Sequence, residues 1–363
     1  MDSEPTASRL SGLRFADPHR DPAYVHRLVA PGGDQPLPSA PRVLSCEIVG
    51  AGTVRGLEEW LRETWATSLV VVAGGNVIHE WYADGVGPET LLLGASMSKS
   101  LLAQLVERAL VSGDLALADP VTRHVPELAG SGYAGTTVLD VLTMTSGVDW
   151  VEDHRDPTSL ASQLLACFPG GDSRALLREV RPGVAPGRRW TYCTADSQVL
   201  DWVRERATGM PFYQAMGALW VELACHSPAS VVHDALGVDL AGGGCSATAR
   251  DWARVASDVS EQTARPAYPF TRVGRLPSSI TSFAGFGGHW WPMDDDGHRV
   301  TADGSRGQFA ATDRRTGAVV VKTSLWPYDD FLVDRQARDL SYLGLHALLD
   351  ALTHPLTHQE PSP

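Results

Sequence analysis

The sequence predicts an α/β plus all-α fold, in which an antiparallel sheet flanked by helices carries an inserted helical subdomain. Two hairpin-like segments lie far apart in the chain, near residues 74 and 315, and helical segments fill the region between them. A sheet assembled from both ends of the chain accounts for this order. We therefore predict an extended N-terminal arm over 1–42, a sheet domain over 43–113 plus 246–363, and a helical subdomain over 114–245.

The first third of the chain contains an arm, a helix, a hairpin and a second helix. The arm includes "APGGDQPLPSAPR", whose prolines and glycines exclude regular structure. "EEWLRETWA" predicts a short helix, and "SLVVVAGGNVIHEWYADG" predicts two strands joined at Gly74 and Gly75. "SKSLLAQLVERALVSGDL" has leucines near helical spacing, with Gly113 as its stop.

The middle of the chain predicts helices and the end predicts a hairpin followed by a helix. "TVLDVLTMTSG", "SLASQLLACF", "SQVLDWVRERATG" and "YQAMGALWVELA" are helical segments separated by loops. "SATARDWARVASDV" predicts another helix, with Ser246 as its N-cap. "RGQFAATDRRTGAVVVKTSL" predicts a hairpin that turns over 313–317, and "DDFLVDRQARDLSYLGLHALLDAL" predicts a long C-terminal helix.

Composition excludes several classes of protein. The 363 residues are 43% hydrophobic and 20% charged, which is an ordinary globular balance, and the net charge of −13 disfavours nucleic acid and anionic membranes as partners. Five cysteines, without CxxC or metal-ligand spacing, predict neither a disulfide framework nor a zinc site. No apolar segment is typical of a signal peptide or a membrane helix. We expect a soluble cytoplasmic protein without metal or cofactor.

The stretch "GASMSKSLL" places Ser96 and Lys99 three residues apart where a helix begins. Residues at this spacing share a helix face, so the amine would lie beside the hydroxyl. A serine needs such a base to become a nucleophile, and a partly desolvated lysine can serve. The helix N-terminus would also supply part of an oxyanion hole. The alternative is that these polar residues merely begin a helix.

Two later segments fall where a serine acyl enzyme would need them. In "PGRRWTYCTADS", Tyr192 precedes a helix and could act as an ionised base or as a proton relay, and Thr194 could orient the lysine or the substrate. The alternative is that Tyr192 is an interfacial core residue. In "ADGSRGQFAA", Gly304 and Gly307 lie at the start of a strand and permit close approach by a ligand.

In combination, these segments resemble the serine β-lactamase-like hydrolases, a family that includes class C β-lactamases, D-alanyl-D-alanine carboxypeptidases, esterases and 6-aminohexanoate-dimer hydrolases. The resemblance covers roughly residues 65–350 and rests on "SMSK", "YCT" and "GSRGQ", in that order. It implies a β-lactamase/penicillin-binding-protein-like fold. It also implies that Ser96 is acylated, that Lys99 and Tyr192 share the base and acid roles, and that N–H groups of Ser96 and near Gln308 hold the oxyanion.

Other residues are expected around the substrate. His154 in "WVEDHRDP" stands where nylon-dimer hydrolases tend to carry a tyrosine over the substrate, and Arg306 and Gly307 belong to the third motif. Trp290 and Trp291 point to opposite faces if extended, so that one could wall the pocket. The third motif lacks the Lys-Thr-Gly or His-x-Gly form of the β-lactamases, which argues against β-lactam turnover. Lys322 in "KTS" is interpreted as a strand residue.

The sequence leaves three functions open. The first is hydrolysis of a small-molecule amide or ester, with water accepting the acyl group from Ser96. The second is an ATP-independent acyltransferase, in which an amine is the acceptor. The third is a non-catalytic binding protein on the same scaffold. A Ser-His-Asp triad is disfavoured because no G-x-S-x-G elbow occurs; the "TSG" at Thr145 to Gly147 lacks the first glycine. Oligomeric state is not predicted.

Overall fold

The computed structural model describes residues 23–50, 52–154, 156–168, 170–260, 285–327 and 335–353. Within these ranges the strands are β1 Val25–Val29, β2 Ile48–Gly50, β3 Thr53–Arg55, β4 Ala66–Ala73, β5 Asn76–Tyr82, β6 Leu92–Leu93, β7 Ala229–His233, β8 Cys245–Ala247, β9 Trp291–Pro292, β10 Arg299–Gly304, β11 Gln308–Asp313 and β12 Ala318–Ser324. The helices are α1 Leu57–Glu63, α2 Met97–Ser112, α3 Val121–His124, α4 Val138–Leu142, α5 Leu160–Ala166, α6 Ser173–Glu179, α7 Thr194–Thr208, α8 Phe212–Glu222, α9 Ala249–Ser257 and α10 Arg335–Thr353.

The main sheet is antiparallel and has the strand order β5-β4-β12-β11-β10-β9. Successive residues of its central strands enter two different cores, as the period of two in a strand requires. Val319 and Val321 pack in a first core with helices α2 and α7, whereas Val320 packs in a second core with helix α10. The prediction of one sheet built from both ends of the chain is confirmed, since β4 pairs with β12.

The two predicted hairpins and the first helix stop are present. Gly74 and Gly75 adopt φ of 56° and 76° between β4 and β5, a left-handed pair that glycine tolerates without strain. The late hairpin joins β11 to β12 across the expected turn. Gly113 ends helix α2 with φ of 82°, as predicted from its position after the last leucine.

A second, smaller sheet was not predicted. Its order is β1-β7-β8-β6, so a strand of the N-terminal arm, Val25–Val29, pairs with Ala229–His233 from the region expected to be helical. Both strands are only five residues long, which leaves too few alternating positions to signal them. The helices from α3 to α8 otherwise fill that middle region. The exact domain boundaries stay a prediction.

The N-cap of helix α9 differs from the prediction, and part of the predicted C-terminal helix lies outside the described residues. Ser246 is not an N-cap: it lies in β8, and the cap of helix α9 is Thr248, whose hydroxyl accepts the N–H of Asp251 at 3.1 Å. The threonine is better placed because strand β8 extends through Ala247. The predicted C-terminal helix is present as Arg335–Thr353, and the first part of its predicted segment, 329–334, lies outside the described residues.

All five cysteines are free thiols. Among the residues that the structure describes, no group of three potential metal ligands comes together. In the same ranges, no helix combines the length and the apolar character needed to cross a membrane.

Candidate active site

Ser96 lies where the short strand β6 turns into helix α2. The turn passes through Ala95, which has a left-handed φ of 47°, and is closed by the Met97 N–H bonding to the Gly94 carbonyl at 3.0 Å. Ser96 occupies the N-cap position, but its hydroxyl makes no capping hydrogen bond to the helix. It is also partly exposed between buried neighbours. The hydroxyl is therefore available for another role, which a simple helix start would not explain.

The amine of Lys99 is buried beside that hydroxyl. Its Nζ lies 3.0 Å from Ser96 Oγ and donates to the Gly242 carbonyl at 2.6 Å. Gly242 can come this close because it has no Cβ, which would meet Ser197 Cβ at 3.2 Å. Burial lowers the pKa of Lys99 to about 8, although the nearby Glu152 carboxylate opposes the change. A substantial fraction of the amine is thus neutral near physiological pH.

Tyr192 completes the group of polar side chains around Ser96. A hydrogen bond joins the side chains of Tyr192 and Ser96, and Lys99 Nζ lies 5.2 Å from the centre of the tyrosine ring. Burial, together with the Glu152 carboxylate, raises the pKa of Tyr192 well above its usual value. The phenol therefore keeps its proton and is a donor, which favours the proton relay over the ionised base.

Tyr192 is also part of an aromatic cluster formed by four side chains. Trp291 stacks on the Tyr192 ring at 5.8 Å, and Phe286 meets Trp291 edge-on at 4.8 Å. Trp190 lies 5.9 Å from Trp291 and is the partly exposed member. The interfacial and catalytic interpretations of Tyr192 are thus compatible, because one face of its ring is packed while its hydroxyl reaches Ser96.

The two adjacent tryptophans lie on opposite faces of the chain, as expected, and both are buried. Trp290 packs in the first core and Trp291 in the second, on opposite faces of the chain. The structure places Trp291 against the catalytic tyrosine candidate and buries Trp290 away from it. A substrate-binding role for either indole stays a prediction.

Strand β10 passes directly over the residues that precede Ser96. A Cβ at Gly304 would lie 2.1 Å from the Gly94 carbonyl, so only glycine allows this contact. On one edge of β10, strand β9 pairs with Val300 and Thr301, and within the described residues no strand pairs with the rest of that edge; on the other edge, β11 pairs with all of β10. Arg299 directs its carbonyl to the Met293 N–H on the β9 edge, and Ser305 directly follows the last residue of β10.

The remaining third-motif residues lie in the turn between β10 and β11. Gly304 ends β10 and Gly307 lies in the turn, so neither begins a strand as expected. Arg306 and Gly307 have left-handed φ of 61° and 87°. The Arg306 guanidinium donates to the Trp326 carbonyl at 3.2 Å, and a Cβ at Gly307 would meet the Trp326 ring. Both residues are directed against Trp326, and their substrate-binding role stays a prediction.

Gln308 has a structural use for its side chain. Its carboxamide donates to the carbonyls of Ser324 at 2.7 Å and Ser305 at 3.2 Å, and accepts the Ser324 N–H at 3.3 Å. The residue begins β11, whereas the strand in contact with Gly94 is β10. Gln308 thus fastens the turn at Ser305. Its own N–H as an oxyanion donor stays a prediction, and Ser305 is the better-placed candidate.

Thr194 and His154 meet at a residue that the sequence analysis did not single out, Glu152. The carboxylate accepts the Thr194 N–H at 2.9 Å, the Thr194 hydroxyl and the Trp150 indole N–H at 2.6 Å. His154 Nε2 lies 3.1 Å from the carboxylate oxygen that accepts the Thr194 hydroxyl, and the histidine side chain is 39% exposed. The structure therefore brings the predicted threonine and histidine together through a buried carboxylate.

Known proteins resemble this chain in sequence and fold. The Beta-lactamase family profile matches residues 57–343. The 6-aminohexanoate-dimer hydrolase of Paenarthrobacter ureafaciens is 33% identical over 299 residues, which cover 76% of each chain. The esterase EstB of Burkholderia gladioli is 35% identical over 141 residues, 36% of each chain. The chain belongs to the beta-lactamase family.

Solved structures support the same fold for this family member. A Bacillus anthracis protein provisionally assigned as a 6-aminohexanoate-dimer hydrolase superposes with a TM-score of 0.77 at 20% identity, covering 94% of this chain and 95% of that one. A class C β-lactamase mutant gives a TM-score of 0.59 at 17% identity, with 82% and 95% coverage. The predicted β-lactamase-like fold is confirmed, and the chain is a hydrolase of this family.

Besides Glu152 and Gly242, the sequence analysis of this beta-lactamase-family chain missed His289. This buried residue has a left-handed φ of 62°, and its ring nitrogens lie 2.8 Å from the Leu142 carbonyl and 2.9 Å from Ser197 Oγ. Its own carbonyl accepts the hydroxyl of Ser100 at 2.6 Å. Burial lowers the pKa of His289 to about 3. The neutral ring therefore joins helices α4 and α7, and the carbonyl ties the residue to helix α2. In the sequence, only the adjacent glycines signal its unusual backbone.

Two predicted structural residues have the expected surroundings. Lys322 is a buried residue of strand β12, away from Ser96, and its Nζ contacts Ser324 Oγ. Ser146 donates to the buried carboxylate of Asp196 at 2.8 Å. Neither interaction places a second nucleophile at the candidate site.

Proposed function

We propose that this protein hydrolyses an amide or ester of a small molecule through an acyl-enzyme on Ser96. The observation that carries the proposal is the group formed by a partly exposed serine, an amine 3.0 Å away whose pKa is lowered to about 8, and a protonated tyrosine bonded to the same serine. A nucleophile, a base and an acid are thereby assembled at one atom.

In the first step, neutral Lys99 accepts the Ser96 proton while Ser96 Oγ bonds to the substrate carbonyl carbon. The carbonyl π electrons move to oxygen and give a tetrahedral oxyanion. The N–H of Ser96 at the start of helix α2 and the N–H of Ser305 in the turn that follows β10 are our candidates to hold that charge. The turn at Ser305 is kept in place by Gln308.

In the second step, the oxyanion collapses and the bond to the leaving group breaks. Tyr192 donates its phenolic proton to the departing nitrogen or oxygen, and the Lys99 ammonium returns a proton to Tyr192. Water then attacks the ester carbonyl and gives one proton to Lys99. When the second tetrahedral intermediate collapses, the free acid is released and the Lys99 ammonium passes that proton to the departing Ser96 oxygen. The three residues end each cycle as they began it.

Relatives support an amide or ester substrate. The names of the two curated relatives describe a hydrolase of 6-aminohexanoate dimers and an esterase. In this chain the open stretch of β10 carries Ala302, Asp303 and Gly304 where the β-lactamase motif would have Lys-Thr-Gly. Without that lysine, these three residues offer no cation to a substrate carboxylate, which supports linear amides or esters over β-lactams.

A second candidate is acyl transfer to an amine. EstCE1, described as a hydrolase with promiscuous acyltransferase activity, superposes with a TM-score of 0.61 at 17% identity, covering 81% of this chain and 96% of that one. The aromatic cluster around Tyr192 could exclude water and favour an apolar acceptor. Hydrolysis and transfer require the same acyl-enzyme, so they differ only in the acceptor.

The proposal is tested by intact-protein mass after mixing with a small activated ester. We expect an adduct of the acyl mass in the wild type and none in Ser96→Ala. Peptide mapping should locate the adduct on Ser96. An adduct that persists in the variant would contradict the assignment. Amines added to the acylated protein then separate the two functions: amide product indicates transfer, and free acid alone indicates hydrolysis.

A further inference from the structure

We propose that Glu152 is a positioning residue of this reaction: its buried carboxylate clamps the segment that carries Tyr192 and is the counter-ion of the ammonium formed on Lys99. The inference rests on the proposed function of Ser96 and Lys99. It adds a charge to the site that neither the Ser-x-x-Lys nor the tyrosine motif contains.

The contacts of Glu152 show the clamp. Each carboxylate oxygen has two donors: one oxygen accepts the Trp150 indole and the Thr194 N–H, and the other accepts the Thr194 hydroxyl and lies 3.1 Å from His154 Nε2. Thr194 begins helix α7, two residues after Tyr192. The carboxylate therefore ties the start of this helix, and with it Tyr192, to the loop that contains Glu152.

The carboxylate is charged although it is buried. Burial raises the pKa of Glu152, but the hydrogen bonds from His154 and Thr194 and the charge of Lys99 outweigh it, so the net pKa lies below the usual range. A buried ion is tolerated only when its charge is compensated. Here four donors contact the carboxylate, and the charge of Lys99 favours its ionised form. The same charge raises the pKa of Lys99 against the effect of burial.

This arrangement has a consequence for the first catalytic step. When Lys99 takes the Ser96 proton, a buried ammonium forms, and a fixed carboxylate nearby stabilises it. Without the carboxylate, Lys99 would be neutral over a wider pH range but would be a weaker base. Loss of the Glu152 charge should therefore move the acid limb of the acylation rate to lower pH and reduce the plateau.

Other ionisable groups near Lys99 must be separated from this effect. Burial raises the pKa of Asp196 to about 7 and that of Asp303 to about 7, and the ring of His289 is neutral. The ionisable groups that interact with Lys99 are Glu152, Cys193, Tyr192 and His289. Three more act on these groups and not on Lys99 directly: His154 and Asp196 on Glu152, and Asp303 on Tyr192. An Asp196→Asn control and an Asp303→Asn control show whether either carboxyl produces the acid limb.

The experiment measures the second-order rate of acylation by a small activated ester from about pH 5 to about pH 10. The variants are Glu152→Gln, which removes the charge, and Thr194→Val, which removes one donor and keeps the charge. In Glu152→Gln, we expect the midpoint of the acid limb of the acylation rate to move to lower pH by about one unit or more, and the plateau rate to fall. Thr194→Val should keep the wild-type limb, since the carboxylate remains.

If the acid limb of the acylation rate is unshifted in a folded Glu152→Gln variant, the inference is overturned. It is also overturned if the acid limb disappears in Asp196→Asn or Asp303→Asn, because that carboxyl would then produce the limb. A purely structural loss would lower the rate at every pH and leave the limb in place. If Glu152→Gln does not fold, Glu152→Asp decides: a wild-type limb with a reduced plateau supports the inference, and an unchanged plateau overturns it. Failure of the wild type to be acylated on Ser96 would instead contradict the proposed function itself.

Discussion

The protein buries two lysines beside serine hydroxyls, and the structure gives them different surroundings. Lys99 Nζ lies 3.0 Å from Ser96 Oγ and 2.6 Å from the Gly242 carbonyl, at the start of a helix that faces the partly exposed serine. Lys322 Nζ contacts Ser324 Oγ and lies 5.4 Å and 5.7 Å from the ring centres of Trp60 and Phe309. Both side chains are almost completely buried.

The difference lies in charge and access. Burial lowers the pKa of both amines, but at Lys99 the Glu152 carboxylate limits the fall to about 8, whereas burial acts alone at Lys322 and lowers its pKa well below the usual value. Ser96 is partly exposed and Ser324 is buried. A lysine next to a serine is thus insufficient for the proposed chemistry, which also needs an opposing charge and an open path to the hydroxyl.

The largest expected effect distinguishes the two lysines by activity. Lys99→Met should reduce acylation of Ser96 about 10²–10⁴-fold, because the general base is lost. Lys322→Met should change the rate by no more than a few-fold, because Lys322 contacts no residue of the proposed mechanism. The measurement is the acylation rate with an activated ester, with folding checked by circular dichroism. Equal losses in both variants would contradict the distinction.

A smaller effect, which depends on substrate, is expected at Tyr192. Tyr192→Phe keeps the ring that stacks on Trp291 at 5.8 Å but removes the proton donor. Hydrolysis of an anilide or alkyl amide, whose leaving group needs a proton, should fall about 10²-fold or more. Reaction with an ester of an acidic phenol should fall much less. Rates measured on a series of leaving groups test this, and a loss independent of leaving-group basicity would count against the acid role of Tyr192.

The extent of sequence-based prediction also differs between the two lysines. The spacing of Ser96 and Lys99 in one helix predicts their contact, because residues three apart share a face. The interpretation of Lys322 as a strand residue follows from its place after the continuous apolar run "AVVV" of the predicted hairpin and is confirmed by strand β12. These local relations need no knowledge of how the chain folds back on itself.

The partners of Lys99 could not be predicted in the same way. Gly242 and Glu152 come from different segments, and only the tertiary fold brings a carbonyl and a carboxylate to the amine. Glu152 stands in the phrase used for the family resemblance, but a carboxylate in a loop gives no sign of its contacts. The side-chain contacts of Gln308 with Ser324 and Ser305 likewise depend on the tertiary fold, and the expected oxyanion N–H near Gln308 stays a prediction.

The smallest expected effect is the change in the free energy of unfolding caused by burying Lys322. Burial lowers the pKa of Lys322 in the folded protein, so unfolding takes up a proton at pH values between the folded and unfolded pKa of this amine. The free energy of unfolding therefore rises with pH between the folded and unfolded pKa values of this amine, because the unfolded chain binds the extra proton in that range.

Lys322→Met removes the cost of burying the amine and should stabilise the protein by about 1–3 kcal/mol at pH 7, less the hydrogen bond lost by Ser324. Urea unfolding at neutral and alkaline pH measures both effects: the gain should shrink as pH approaches about 10. A gain that is independent of pH would mean that packing, and not the proton affinity of Lys322, distinguishes this buried amine from Lys99.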